Sequence, residues 1–283
     1  MSEFFTNIRR AMLCEIDKEF TKAFNLYSEC ENLSANVPTI IKIKSKMAWC
    51  QHSVGNPKET ENQFQSILEK FPDHPLSSLV YSKYLIKLKK LKQARAILRK
   101  GILQFPSYLE FYLTLATLLK NMERSEEAIE ILREALSREN LTRGKGIKKS
   151  DIWAELGSLY FTRNDYNSAL ACLKKARDSV PEGDFLNFDL LAHCYLELDD
   201  PENALKSIKA FILFQGDVDP ETLILLSRAK CRLGYIEEAG QHLIQAYSYE
   251  DSLKLKGNEM IDFAPLLRNG FFTTLENIEW EDE

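Results

Sequence analysis

Lys83 and Lys87 stand four residues apart, so on a helix they project from one face, about 6 Å apart along the axis. They belong to a stretch, 75–109, that also carries Lys89, Lys90, Lys92, Arg95, Arg99 and Lys100 and no acidic residue. A later stretch, 178–205, reverses the sign with Asp178, Glu182, Asp184, Asp189, Glu197, Asp199, Asp200 and Glu202, and has no Lys or Arg. Segregated charge of this kind bears on partners rather than on fold. A basic face predicts an acidic or carboxylate-bearing ligand segment.

Residues that could do covalent or metal chemistry are scattered. His52, His74, His193 and His242 stand far apart, and no Ser/His/Asp or Cys/His set assembles from their spacing. Cys14, Cys30, Cys50, Cys172, Cys194 and Cys231 form no CxxC pair and no metal-ligand spacing. They read as small hydrophobes in helices of a reducing compartment. Asp199-Asp200 falls in a turn, where capping is its expected work. The basic segment 140–149, NLTRGKGIKK, lacks the phosphate-loop spacing and a preceding strand, and reads as a loop. No catalytic role, metal or cofactor is implied, and the chemistry to expect is recognition.

The whole composition narrows the class. A net charge of -5 and a pI near 5.6 argue against a chain built mainly to hold nucleic acid or anionic membrane. No apolar run reaches the roughly 18 residues of a membrane span. The first twenty residues have scattered charges and no apolar core of a signal peptide, so a cytoplasmic location is expected.

The elements that must position these residues emerge from the stretch 150–183. Trp153, Leu156, Gly157 and Tyr160 fall at i, i+3, i+4 and i+7, one face of a helix. After a polar turn at Arg163-Asn164-Asp165, a second helix puts Ala169, Leu173 and Ala176 on its buried side, and Pro181 stops it. Gly157 and Ala169 are small where two antiparallel helices cross closely. The pattern recurs. Ala169 is matched by Ala23, Thr60, Ala94, Ala128, Ala204 and Ala239, and Gly157 by Ala11, Ala48, Ser82, Ala116, Ala192 and Ser227. A third, looser column runs Cys30, Ile67, Gly101, Ala135, Ala176, Phe211 and Ala246, in which Ile67 and Phe211 depart from the pattern. Hairpins are therefore expected at about 4–40, 41–74, 75–108, 109–142, 150–183, 185–218 and 220–253, in one array over 1–283. In the first, Asn7 and Arg10 stand where large apolar residues belong, as a solvated end face would allow. Asn56-Pro57 and Asp200-Pro201 predict helix starts.

On these residues the chain resembles the tetratricopeptide repeat family, with about seven repeats. The resemblance implies an all-α, right-handed solenoid of helical hairpins. It also implies a C-terminal capping segment, 254–283, in which Asp262 to Leu267, Phe271 and Phe272 cover the last hairpin. In such arrays the first helix of each hairpin lines a concave groove. By register that groove holds Lys42, Ser45, Lys46, Trp49 and His52, then Lys83 and Lys87, then Thr117, Lys120 and Asn121. Further along it holds Asp151, Glu155, Ser158 and Thr162, then Asp189, His193 and Glu197, then Arg228 and Arg232. The groove is thus expected to be basic with one exposed Trp in its first half and acidic in its second. The carboxylate clamp of chaperone-tail receptors is missing: its places fall to Leu79 and Lys83, Thr114, then Asp151 and Glu155. The function implied is a scaffold or assembly factor that binds a protein or peptide. Two alternatives stay open, a helical-repeat RNA binder and a peptide-sensing regulator, though no helix-turn-helix segment precedes the first hairpin.

Overall fold

Small residues at the helix crossings set the architecture of the computed structural model, which describes residues 2–34, 36–138, 147–181, 187–216, 218–249 and 261–268. Among these residues there are helices and no strands. They fall into two compact units, residues 1–147 and 148–283.

The first unit holds α1 (Ser2–Ile16), α2 (Phe20–Asn32), α3 (Val37–Ser53), α4 (Pro57–Lys70), α5 (Pro75–Lys87), α6 (Leu91–Gln104), α7 (Leu109–Lys120) and α8 (Ser125–Ser137). Consecutive helices pair as hairpins, and each hairpin packs on the next. The second unit holds α9 (Lys149–Phe161), α10 (Tyr166–Asp178), α11 (Phe188–Glu197), α12 (Pro201–Gln215), α13 (Pro220–Arg232), α14 (Ile236–Tyr249) and a short α15 (Ala264–Arg268). Each unit is a stack of antiparallel hairpins, the repeat solenoid class.

Every member of the two strict small-residue columns is buried, from Ala11 and Ala23 to Ser227 and Ala239. A Cβ on Gly157 would lie 2.8 Å from Leu173 Cγ and 3.3 Å from the carbonyl oxygen of Ala169, so the helices do cross where the pattern placed them. The third column is looser in space too, since Phe211 is only half-buried.

Each hairpin turns through one residue of left-handed backbone: Lys18, Gly55, Lys89, Glu123, Asn164, Asp199 and Gly234. That conformation stops the first helix and reverses the chain in a few residues. Some starts are capped by side chains. Asp165 accepts from Ser168 N at 3.1 Å, Asp200 from Asn203 N at 3.2 Å and Asp219 from Thr222 N at 2.7 Å. Asn36 accepts from Thr39 N at 3.2 Å, so α3 opens at Val37.

Asn7 is not solvated as expected. It is buried, and its Nδ2 donates to Glu29 Oε2 at 3.0 Å, which satisfies a polar group inside the first hairpin. Arg10 is exposed. The capping segment is described only at 261–268, where Phe263 and Leu266 join the core of α13 and α14. Phe271, Phe272, most of the 140–149 loop and the acidic end 276–283 lie outside the described residues.

Candidate partner-binding face

Four side chains meet where α3 faces α5: Trp49 and His52 of α3, Tyr84 and Lys87 of α5. Trp49 is half-buried, its ring centroid 5.6 Å from that of His52, 5.5 Å from Tyr84 and 6.2 Å from Phe64, edge-on to each. Lys87 Nζ stands 4.3 Å from the centre of the Trp49 ring, a cation–π contact across two hairpins. His52 lies 5.9 Å from Tyr84, and its Nδ1 and the Tyr84 hydroxyl are buried without a hydrogen-bond partner. The exposed tryptophan of the sequence reading is thus an aromatic half sunk between hairpins, with a cation on its face.

The lysines of this face do not form a bare positive wall. Lys46 pairs with Glu15 of α1 at 2.6 Å, and Lys83 pairs with Glu110 of α7 at 2.6 Å. Lys44 meets Glu31 at 2.8 Å, Lys90 meets Glu61 at 3.2 Å, and Arg95 meets Glu127 at 2.8 Å. The acids that meet the third hairpin come from its neighbours, α4, α7 and α8. Of the lysines expected to line the groove, Lys46 and Lys83 are thus paired, by contacts that contribute about 0–1 kcal/mol each at exposed positions.

The remaining candidates sort by unit. Lys42 is exposed on α3, and Ser45 turns inward to donate to the Lys42 carbonyl at 2.7 Å. On α7, Thr117 is exposed with its hydroxyl donating to Leu113 O at 3.0 Å, Lys120 is half-buried, and Asn121 is the exposed residue after the last turn. Ser158 on α9 and His193 on α11 belong to the second unit. Both are half-buried, and the His193 ring lies 5.7 Å from Phe161. Asp151 caps α9, accepting from Lys148 N at 2.7 Å. Arg228, expected on the wall, is 2% exposed and held by Asp262 and Glu197. The sequence reading missed Glu15 and Glu110, whose partners stand 31 and 27 residues away.

Covalent chemistry finds little support. The six cysteines are free, and burial raises the thiols of Cys194 and Cys231 to about 12 and that of Cys50 to about 11. Such thiols are protonated and inert. Among the described residues no group of three or more His, Cys, Asp or Glu is placed to hold a metal ion. No helix among them is long and apolar enough to cross a membrane.

Comparison with known proteins adds the family. The model of the ChAPs family, the Chs5p-Arf1p-binding proteins, matches residues 67–217, from the end of α4 to the end of α12. That is just over half of the chain. The chain belongs to the ChAPs family. Its match takes in Lys83 and Lys87 but not Trp49. No curated protein matches the chain. Among solved structures, PilF of Pseudomonas aeruginosa is 15% identical with a TM-score of 0.61, over 81% of this chain and 97% of that one. PilW, a type IV pilus biogenesis factor, is 17% identical with a TM-score of 0.57, over 74% and 93%. YrrB, a tetratricopeptide protein with an unusual peptide-binding site, is 17% identical with a TM-score of 0.54, over 66% and 92%. These likenesses concern the fold: this ChAPs chain is a tetratricopeptide-type array of about seven repeats.

Proposed function

We propose that the chain is a non-enzymatic scaffold that holds a segment of a protein partner against the first helices of its hairpins. The contacts in the first unit would be Lys42, Lys46, Trp49, His52, Lys83 and Lys87, continuing to Thr117, Lys120 and Asn121. Ser158 and His193 would offer a separate contact in the second unit. The observation that carries the reading is the Trp49–Lys87 pair, with Lys87 Nζ 4.3 Å over a half-exposed indole. An aromatic anchor beside a cation suits a segment with one apolar and one acidic residue. Lys83 and Lys46 hold their glutamates through weak, exposed pairs, so an incoming carboxylate can replace Glu110 or Glu15 at small cost.

The family name states that its proteins bind Chs5p and Arf1p, and homologues of those two proteins are the first partners to test here. Immobilised wild-type chain should capture at least one from a native lysate. Trp49→Ala should lose that capture while keeping its helical circular dichroism. Undiminished capture by Trp49→Ala would place the binding face elsewhere.

A further inference from the structure

The second unit carries a site that the scaffold reading does not use. Arg228 and Arg232 stand one turn apart on α13 and share one carboxylate. Arg228 Nε donates to Asp262 Oδ2 at 2.7 Å, and Arg232 Nε donates to Asp262 Oδ1 at 2.6 Å. The second nitrogen of each fork is also used. Arg228 donates to Glu197 Oε1 at 2.9 Å, and Arg232 donates to the Leu196 carbonyl, with Asp199 Oδ1 at 3.5 Å. The Arg228 and Asp262 side chains are only 2% and 4% exposed.

The residues after Asp262 complete a docked segment. Phe263 is 1% exposed and Leu266 fully buried, both set among Leu223, Ile224, Leu243 and Tyr247 of the last hairpin. Ile261, just before the acid, is 76% exposed. The occupant thus reads acid, aromatic, two spacers, aliphatic. A cap serving only to cover apolar surface needs no buried ions, since hydrophobic residues of similar volume do as well or better. Two guanidinium groups each aimed at one oxygen are what selective recognition of a carboxylate requires.

We infer that Arg228, Arg232 and the apolar seat beside them form a docking site for acidic-aromatic segments of the form Asp/Glu-Phe-x-x-Leu. The chain's own Asp262–Leu266 is its resident occupant, and a partner protein's segment of the same chemistry takes its place. The tethered segment competes at an effective concentration of about millimolar, so the intact chain responds only to a partner that binds well or is itself tethered nearby. The site is separate from the Trp49–Lys87 face, and its test uses no residue of that face.

The probe is a labelled peptide reproducing residues 257–270, GNEMIDFAPLLRNG, added to full-length chains. Asp262→Ala disarms the resident segment, so this variant should bind the peptide at least tenfold more tightly than wild type. Adding Arg232→Gln, or changing the Asp and Phe of the peptide to Ala, should each weaken binding at least tenfold. A folded Asp262→Ala chain that ignores the peptide, or binds the Ala peptide equally, overturns the inference. A second measurement covers a variant that does not fold. In the wild-type chain, millimolar native peptide should accelerate amide exchange at 261–268, and the Ala peptide should not. Unchanged exchange overturns the inference. So does a dimer that trades this segment between copies, because the occupant is then a second copy of the chain.

Discussion

Replacing Gly101 by Ala adds one methyl group to α6, and the structure decides the sign of the result. On an exposed helix the change stabilises by about 1 kcal/mol, because Ala loses less backbone entropy than Gly. At Gly101 the new Cβ would sit 2.3 Å from Phe111 Cε1 and 2.6 Å from Cδ1 and Cζ. Carbon atoms rest at about 3.5–4.0 Å, so the ring must retreat by roughly 1 Å or more. It has little room. Phe111 is fully buried, with Phe105 stacked at 6.2 Å and Tyr108 at 5.8 Å. Overpacking of this kind costs about 1–3 kcal/mol. Once the helix gain is subtracted the range is about 0–2 kcal/mol, and with Phe111 so confined the expectation is a loss near its upper end. Gly157→Ala meets the Leu173 side chain at 2.8 Å, a milder clash, and should lose less. Gly157→Leu should lose more than either. Urea unfolding followed by circular dichroism measures all three, and Phe111→Leu in the Gly101→Ala background should recover part of the loss by making room. A Gly101→Ala chain as stable as wild type would refute the crossing geometry of α6 and α7.

Further outcomes follow from the turns, the histidines and the surface charge. Gly234→Ala should cost about 1–2 kcal/mol although nothing lies within 4 Å of its Cβ position, because its φ is +84°; Lys89→Gly, at φ 57°, should not destabilise. Thermal melts that invert this pair would contradict the turn assignment. Burial lowers the pKa of His74, whose Nδ1 accepts from Leu76 N, and burial with Lys230 nearby lowers that of His242. Their folded values lie below the unfolded value near 6.5, so the unfolded chain binds protons first and this stability is lost as pH falls below about 6.5. The drop in melting temperature between pH 7.5 and 5.5 should shrink in His74→Asn, which keeps a capping acceptor; an unchanged drop would remove His74 from the account. Because the net charge is -5 and glutamates of neighbouring hairpins pair with Lys46, Lys83 and Lys90, the chain should bind single-stranded RNA weakly, and tight binding with a steep salt dependence would revive the RNA-binding alternative.

What the sequence reveals here depends on how locally the physics is written. Gly157 and Ala169 could be read because a close helix crossing tolerates only small side chains, and that constraint repeats in each hairpin. Asp200 and Pro201 could be read because a cap and its helix are adjacent in the chain. Lys83 could be placed on an exposed face, but its partner Glu110 could not, since the two meet only when separate hairpins stack. The first hairpin shows the same limit: Asn7 looked solvated because its partner Glu29 sits on the other helix. Arg228 was assigned to an open wall for a related reason. Its occupant, Asp262, lies 34 residues on, in a segment that no repeat pattern covers.

The central claim is that one face of the third hairpin, not its general charge, recognises the partner. Lys83→Glu/Lys87→Glu removes the two lysines of that face, one paired to Glu110 and one over Trp49. Lys89→Glu/Lys90→Glu changes net charge equally, at the turn and the residue before α6. Binding of each purified double variant to the partner captured by the wild-type chain is the measurement that decides. The account predicts loss of binding in the first with near wild-type affinity in the second. Equal losses would mean diffuse electrostatic attraction, and full binding by both would contradict the assigned face.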